Sequence, residues 1–314
     1  MFGLHPNAEI TYLTSESIIL FNSLMLMQGS SNQATDTGKT KEEVVAGKVE
    51  TLLSQLPQEE YPIADLNDRN PEAQPFMSVC IQECTRMNIL TNAMRTSLQE
   101  LTLGLKGDLS MSDQMERLMN ALYIDTIPRT WEQFAYPSLK KLVPWMSDLE
   151  QRIKQLNDWS SDLSLPKCVW LPGLFNPQSF LRAVLQNTAR QQKLPLDFMA
   201  LQVEILKKEL ADMTTPQRDG TAIYGLYMDG ARWDKKSASI RDSILKDLYP
   251  PLPPIGLKAV TNDKAEVKDT YECPVYMTRN RNRGTYVWSF NIKTREPASK
   301  WIMAGVAILL ANDQ

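Results

Sequence analysis

The apolar residues of this sequence of 314 change their period once, and that change limits the folds open to it. As far as Gln192 they recur at steps of three and four, the spacing of one helix face; after Pro195 they alternate, the spacing of a half-buried strand. Helices first and strands afterwards, without long helices interleaved, predict an α+β fold rather than a parallel sheet. The expected architecture is a multi-helix subdomain over 14–194 followed by a small antiparallel, incomplete six-stranded β-barrel over 195–314.

Punctuation residues place the elements. Thr14 is read as the cap of a helix carrying Ile18, Phe21 and Met25, and the apolar run Ile18–Met27 as a buried helix. A polar loop over 28–39 follows. Thr40 and Glu43 have the S/T-x-x-E spacing of a capping box, ahead of a helix with Val45, Val49, Leu52 and Leu56 on one face. The longest helix is expected over 75–106, where Cys84, Met87, Thr91, Met94, Leu98, Leu101 and Leu105 form a seam. Gly104 and Gly107 end it, SMSD restarts a helix to about Asp125, and another is expected over 145–159. Asn176-Pro177 supplies a cap and a first-turn proline for a helix to about Gln192. Strands are expected at 198–206, 221–228, 255–260, 270–277, 285–293 and 300–310, with NRNRG turning the fourth into the fifth as a hairpin. In the fifth, Tyr286, Trp288, Phe290 and Ile292 are expected on one face and Val287, Ser289, Asn291 and Lys293 on the other.

Composition removes several chemistries. With 43% apolar and 23% charged residues the protein can bury a core, and its net charge of −3 gives it no overall electrostatic claim on nucleic acid or an anionic membrane. The single histidine, His5, excludes Ser-His-Asp, Cys-His and multi-histidine zinc sites. Four cysteines without framework spacing, and no signal peptide, suit free thiols in the cytosol. No apolar stretch reaches the roughly 18 residues of a membrane span.

The remaining motifs are weak as sites. Gly38-Lys39-Thr40 ends like a P-loop, but the position five before Gly38 is Gln33, not the glycine that shapes the phosphate cradle, and the capping box accounts for Thr40. An independent nucleotide-binding protein using this loop is the alternative reading. Cys80 and Cys84 lie four apart on one helix without further ligands and read as buried thiols. Arg279, Arg281 and Arg283 beside Tyr276, Tyr286 and Trp288 resemble a base-stacking platform, yet in an acidic protein NRNRG reads as a solvated or protein-docking turn. Arg232 and Trp233, in MDGARWD, sit in a turn that is either an interaction loop or a hairpin end folded on the core. PPLPP at 250–254 reads as a stiff lead-in to a strand, and Glu42–Glu43 and Glu59–Glu60 splay apart as acid/base pairs.

Taken together, FGLHPNAEI (2–10), WLPGLFNPQSFLRAV (170–184), YGLYMDGARWD (224–234), YECPVYMTR (271–279) and TYVWSFNIKT with SKWIMAGVAILL resemble the carboxyl-terminal region of dynein heavy chains, most of all axonemal outer-arm chains. The resemblance runs in the family's order over nearly the whole sequence. It implies that residues 1–13 are the exit from the sixth AAA+ module and that the remainder is a C-terminal domain, helical and then an incomplete barrel. That domain lies across the AAA+ ring of the same heavy chain and modulates force and processivity. The implied partners are those ring modules and, through the parent chain, other dynein subunits and microtubules, with no nucleic acid and no membrane. The implied location is the cytoplasm and cytoskeleton, in the axoneme of a cilium or flagellum. ATP and magnesium would bind upstream in a microtubule-stimulated ATPase. No catalytic, cofactor-binding or metal residue carries over, and GKT matches nothing in the family pattern.

Overall fold

A computed structural model describes residues 6–29, 40–213, 220–265 and 268–310. Helix α1 (Pro6–Gly29) opens the fold. Then come α2 (Lys41–Gln55), α3 (Ile63–Asp68), α4 (Pro75–Lys106), α5 (Asp113–Tyr123), α6 (Arg129–Glu132) and α7 (Leu142–Asp162). A two-residue strand, β1 (Val169–Trp170), precedes α8 (Pro177–Gln192). The strand-rich part holds β2 (Met199–Ile205), β3 (Thr221–Tyr224), β4 (Tyr227–Asp229), β5 (Ala231–Asp234), β6 (Ser239–Asp242), β7 (Ile255–Thr261), β8 (Thr270–Tyr276) and β9 (Tyr286–Lys293). Helix α9 (Ala298–Met303) and β10 (Ala307–Leu309) complete the described fold.

The helical half is built on α4. Its predicted seam is buried from Cys84 to Leu101, and α2, α5, α7 and α8 pack around it. Thr91 is tolerated there because its hydroxyl donates to the Met87 carbonyl at 2.9 Å. Gly107 stops the helix in the left-handed conformation, φ 81°, with its N–H on the last carbonyls. The capping box forms as read, Thr40 Oγ1 accepting from the Glu43 N–H at 3.3 Å and Glu43 Oε2 accepting from the Thr40 N–H at 3.0 Å. Asn176 caps α8 through Oδ1, which accepts from the Ser179 N–H at 3.1 Å. α8 lies between α4 and strands β2, β7 and β9, so the core is continuous across the two halves. Each fully buried side chain at that joint, Phe180 or Leu181 for example, contributes about 1.5–3 kcal/mol.

The strands form two four-stranded sheets, ordered β1-β3-β7-β2 and β4-β10-β8-β9, and a β5-β6 ribbon. Several expectations are corrected here. The described residues hold ten strands in three sheets rather than six, and the pairing is not wholly antiparallel: β1 runs parallel to β3, and β10 parallel to β8. The strand expected over 221–228 is two strands in different sheets, because Gly225 turns the backbone at φ 87°, where an added Cβ would lie 2.5 Å from Trp170 Cδ1. The stretch 300–310 is α9, a turn at Gly305 (φ 67°) and β10; an apolar run this short has no decisive period. On β9 the register shifts between Val275 and Tyr276, so Val287 is an extra residue and is buried while Tyr286 faces solvent. The NRNRG hairpin stands. Helix α1 begins at Pro6, not after Thr14, since a proline suits a first helical turn.

Gly225→Ala should cost about 1–2 kcal/mol from the left-handed backbone alone, and more from the Trp170 contact. Urea denaturation would read this as a lower midpoint at unchanged slope.

Candidate functional site

The most elaborate polar constellation ties α7 to the segments before and after it, within the helical half. Asp148 and Arg152 sit one turn apart on α7 and pair through Arg152 Nε and Asp148 Oδ2 at 2.8 Å, while Lys140 Nζ holds the other oxygen at 2.9 Å. The Arg152 guanidinium carbon lies 3.3 Å from the Tyr136 ring centre and 5.5 Å from that of Trp170, and Nη1 donates to the Leu174 carbonyl at 3.4 Å. Burial opposes ionisation of Asp148, but the Arg152 charge and the Lys140 and Arg152 hydrogen bonds outweigh it and hold the carboxyl below its ordinary 3.8. A hollow of about 70 Å³ beside this group is lined from both halves, by Tyr136, Lys140 and Trp170 on one side and Gly225, Tyr227 and Leu310 on the other.

Glu83 makes the second tie. It is 1% exposed inside the α4 seam, and its two carboxylate oxygens accept from the backbone N–H groups of Phe175 and Asn176, the latter at 2.9 Å. Burial raises its carboxyl above the ordinary 4.5; those two N–H groups and the Arg86 and Arg152 charges offset part of the rise. Sequence reading missed Glu83, Asp148 and Arg152. The available signal was a charge at a position the apolar period assigns to the core, Glu83 beside Cys84, and Arg152 between Leu149 and Leu156.

The residues singled out in the sequence do not converge. Gly38 and Lys39 lie outside the described residues, and Thr40 is engaged in its cap. Arg281 pairs with Asp229 and also donates to the Gly305 carbonyl, tying the hairpin to the β4–β5 and α9–β10 turns. Arg283 is exposed at the hairpin tip and Arg279 half-buried beside it. Arg232 Nε donates to the Asp242 carbonyl across the ribbon at 3.3 Å, and Trp233 is half-buried against the core. Cys80, Cys84 and Cys273 are buried free thiols. The Cys80 hydrogen bond and burial raise Cys84, while burial raises Cys273 and pushes Cys168 up to about 12, so these three stay protonated at neutral pH.

What the molecule displays outward is α1. The expectation of a buried helix over 18–27 is overturned at 18–21 and 24, the side chains of 22, 23 and 25–27 lying outside the described residues: Leu20 is 63% and Phe21 55% exposed, and Leu13, Ile18 and Leu24 are exposed with them. None of the described α1 side chains belongs to the hydrophobic core. The helix is nevertheless held. Asn7 Nδ2 donates to Ser243 Oγ, the Ile244 carbonyl and the Asp247 carbonyl at 2.9, 2.8 and 3.1 Å, and Oδ1 accepts from the Lys246 N–H at 2.8 Å. Exposed Ile244 and Leu245 extend the apolar surface past this clamp.

These features define an α+β module whose buried charges tie its helical half together and whose first helix is exposed and apolar. Residues 14–310 match the model of the C-terminal domain of the dynein heavy chain. The protein is 49% identical over 311 residues to "Dynein axonemal heavy chain 17" of Homo sapiens, an alignment that takes in 99% of this sequence and 7% of that one. It is 46% identical over 311 residues to "Dynein beta chain, ciliary" of Tripneustes gratilla, with the same coverage. Against "Dynein beta chain, flagellar outer arm" of Chlamydomonas reinhardtii identity is 45% over 312 residues, 98% of this sequence and 7% of that one. The chain belongs to the family of C-terminal domains of dynein heavy chains, and it spans about 7% of the length of these relatives.

Proposed function

We propose that this protein is the non-catalytic C-terminal module of an axonemal outer-arm dynein heavy chain. It packs on the AAA+ ring of that same heavy chain and modulates the force and processivity of its ATP-driven, minus-end-directed movement. The carrying observation is the exposed apolar α1: a helix apolar on so many sides is stable in water only when another surface covers it. In this reading residues 1–13 leave the sixth AAA+ module, α1 lies on the ring, and the three sheets form an incomplete barrel. Nucleotide and magnesium bind upstream in the parent ATPase, and other dynein subunits and microtubules are reached through it, in the axonemal cytoskeleton of a cilium or flagellum. The buried ion pairs serve rigidity, which a domain bracing a ring requires.

The test uses the full heavy chain with Leu20→Glu and Leu24→Glu together, both solvent-facing here and so neutral for the module's own fold. Protease sensitivity at the ring–module junction should rise and the stall force in an optical trap should fall, with ATP hydrolysis retained. An unchanged digestion pattern together with an unchanged stall force would sink the reading.

A further inference from the structure

Residues 276–303 are basic in an acidic protein: six arginines and lysines stand there against one glutamate, Glu296, while the whole sequence carries −3. Two of the six are engaged, Arg281 with Asp229 and Lys300 with Asp242 at 2.9 Å. Arg279 and Arg283 flank Arg281 at the hairpin tip, Arg283 exposed and Arg279 half-buried, and neither guanidinium makes an ion pair or a hydrogen bond with a described residue. The tip itself is locked. Thr285 Oγ1 donates to the Asn280 and Asn282 carbonyls at 3.1 Å each, and Asn282 Oδ1 accepts from the Thr285 N–H at 3.0 Å. Two unpartnered arginines are thus presented on a turn that needs little ordering when an anion binds.

Arg281 fastens this tip to an apolar surface. Its guanidinium donates to the Gly305 carbonyl, and the Gly305 N–H donates to the Ile302 carbonyl at 3.0 Å, at the end of α9. Trp301 anchors that helix, 1% exposed with Nε1 donating to Thr294 Oγ1 at 2.7 Å, and the two side chains after it stay outside: Ile302 is 66% and Met303 72% exposed. Among the described residues no large apolar side chain is more exposed than Met303. Arginine and methionine are both enriched where proteins meet proteins. We propose that the hairpin tip and the end of α9 form one docking surface for a short segment of a partner protein in which acidic residues adjoin a bulky apolar one. Its carboxylates pair with Arg279 and Arg283, and its apolar side chain covers Ile302 and Met303. Single-stranded nucleic acid fits less well. It needs ring faces to stack on, but Trp288 is half-buried against the core, and Tyr276 and Tyr286 pack edge-on against each other at 5.9 Å.

The probe is a fluorescein-labelled peptide, Glu-Glu-Leu-Leu-Glu-Glu, titrated against the purified protein by anisotropy; the unlabelled peptide is titrated against protein with methyl-labelled methionine, followed by NMR. Saturable binding is expected, weaker at higher salt, with the Met303 methyl signal, assigned through Met303→Leu, moving along the titration. Arg279→Gln with Arg283→Gln removes no described side-chain contact and should leave the circular dichroism unchanged, yet weaken binding about tenfold or more. Met303→Ser, at an exposed position, should weaken it about threefold or more. Leu20→Glu with Leu24→Glu on α1 should leave it unchanged, which separates this surface from the one argued to pack on the ring. The proposal is overturned by absence of saturable binding at millimolar peptide, or by binding indifferent to the arginine changes. It is equally overturned by a stationary Met303 signal while other methionines move, by loss of binding in the α1 variant, or by an oligothymidylate that displaces the peptide and binds more tightly than it does.

Discussion

Arg152→Met should lower the unfolding free energy by about 3 kcal/mol, measured by urea denaturation, because it leaves the Asp148 carboxylate buried with only Lys140 for a partner. The figure sits at the low end for a broken buried pair, since Lys140 remains and is itself partly solvated. Asp148→Asn with Arg152→Met should recover much of the loss, because the stranded charge is then gone. A single variant within about 1 kcal/mol of the parent would show that the pair is solvated in solution. The same group sets an acid limb. The Asp148 carboxyl is held below 3.8 in the folded state, so its stabilising contribution is complete above that value and is lost as pH falls through the lower folded value. Stability measured from pH 5 downward should therefore fall less steeply in Asp148→Asn.

Glu83→Ala should cost roughly 3–5 kcal/mol, since it orphans two buried N–H groups that donate to its carboxyl oxygens and opens a cavity in the α4 seam. Exchange at the Phe175 and Asn176 amides should rise by more than the global loss predicts, which separates loss of this tie from general loosening. Glu83→Gln keeps one acceptor and should fall between. The pH sign is opposite to that of Asp148. The folded state raises the Glu83 carboxyl, so its contribution declines as pH rises from about 4.5 through the folded value, a slope that Glu83→Gln should remove. Glu83→Ala with parental stability would mean that the start of α8 does not depend on this carboxylate.

Local chemistry made the helical half readable. Thr40 with Glu43, Asn176 with Pro177, and Gly107 each satisfy backbone groups within a few residues of themselves, so the sequence holds the whole interaction. The strand-rich half depends on partners far along the sequence. Strands β4, β5 and β6 have only 3 or 4 residues each, too few for alternation to register. The break at Gly225 is set by Trp170, more than fifty positions earlier, and the bulge at Val287 by its pairing with β8. Of the functional surface, the family resemblance was legible and the polar geometry was not. The apolar period marks Glu83 and Arg152 as charges at core positions, but their partners, the backbone of 174–176, are brought against them only by the fold. The apolar residues of α1 satisfied every rule for a buried helix because such rules count hydrophobicity and cannot say which segment supplies the cover.

The Asn7 clamp changes how displacement travels through the molecule. One amide side chain fastens the start of α1 to the loop at 243–247, some 240 positions onward, while Lys141 at the head of α7 sits 5.6 Å from the Phe21 ring farther along the same helix. Anything that shifts α1 therefore loads the strand-rich half at the 243–247 loop directly, without passing down the backbone through the helices. A single Asn7→Ala change would remove the four hydrogen bonds that fasten the start of α1 to this loop, and with them the direct connection between the helix and the strand-rich half.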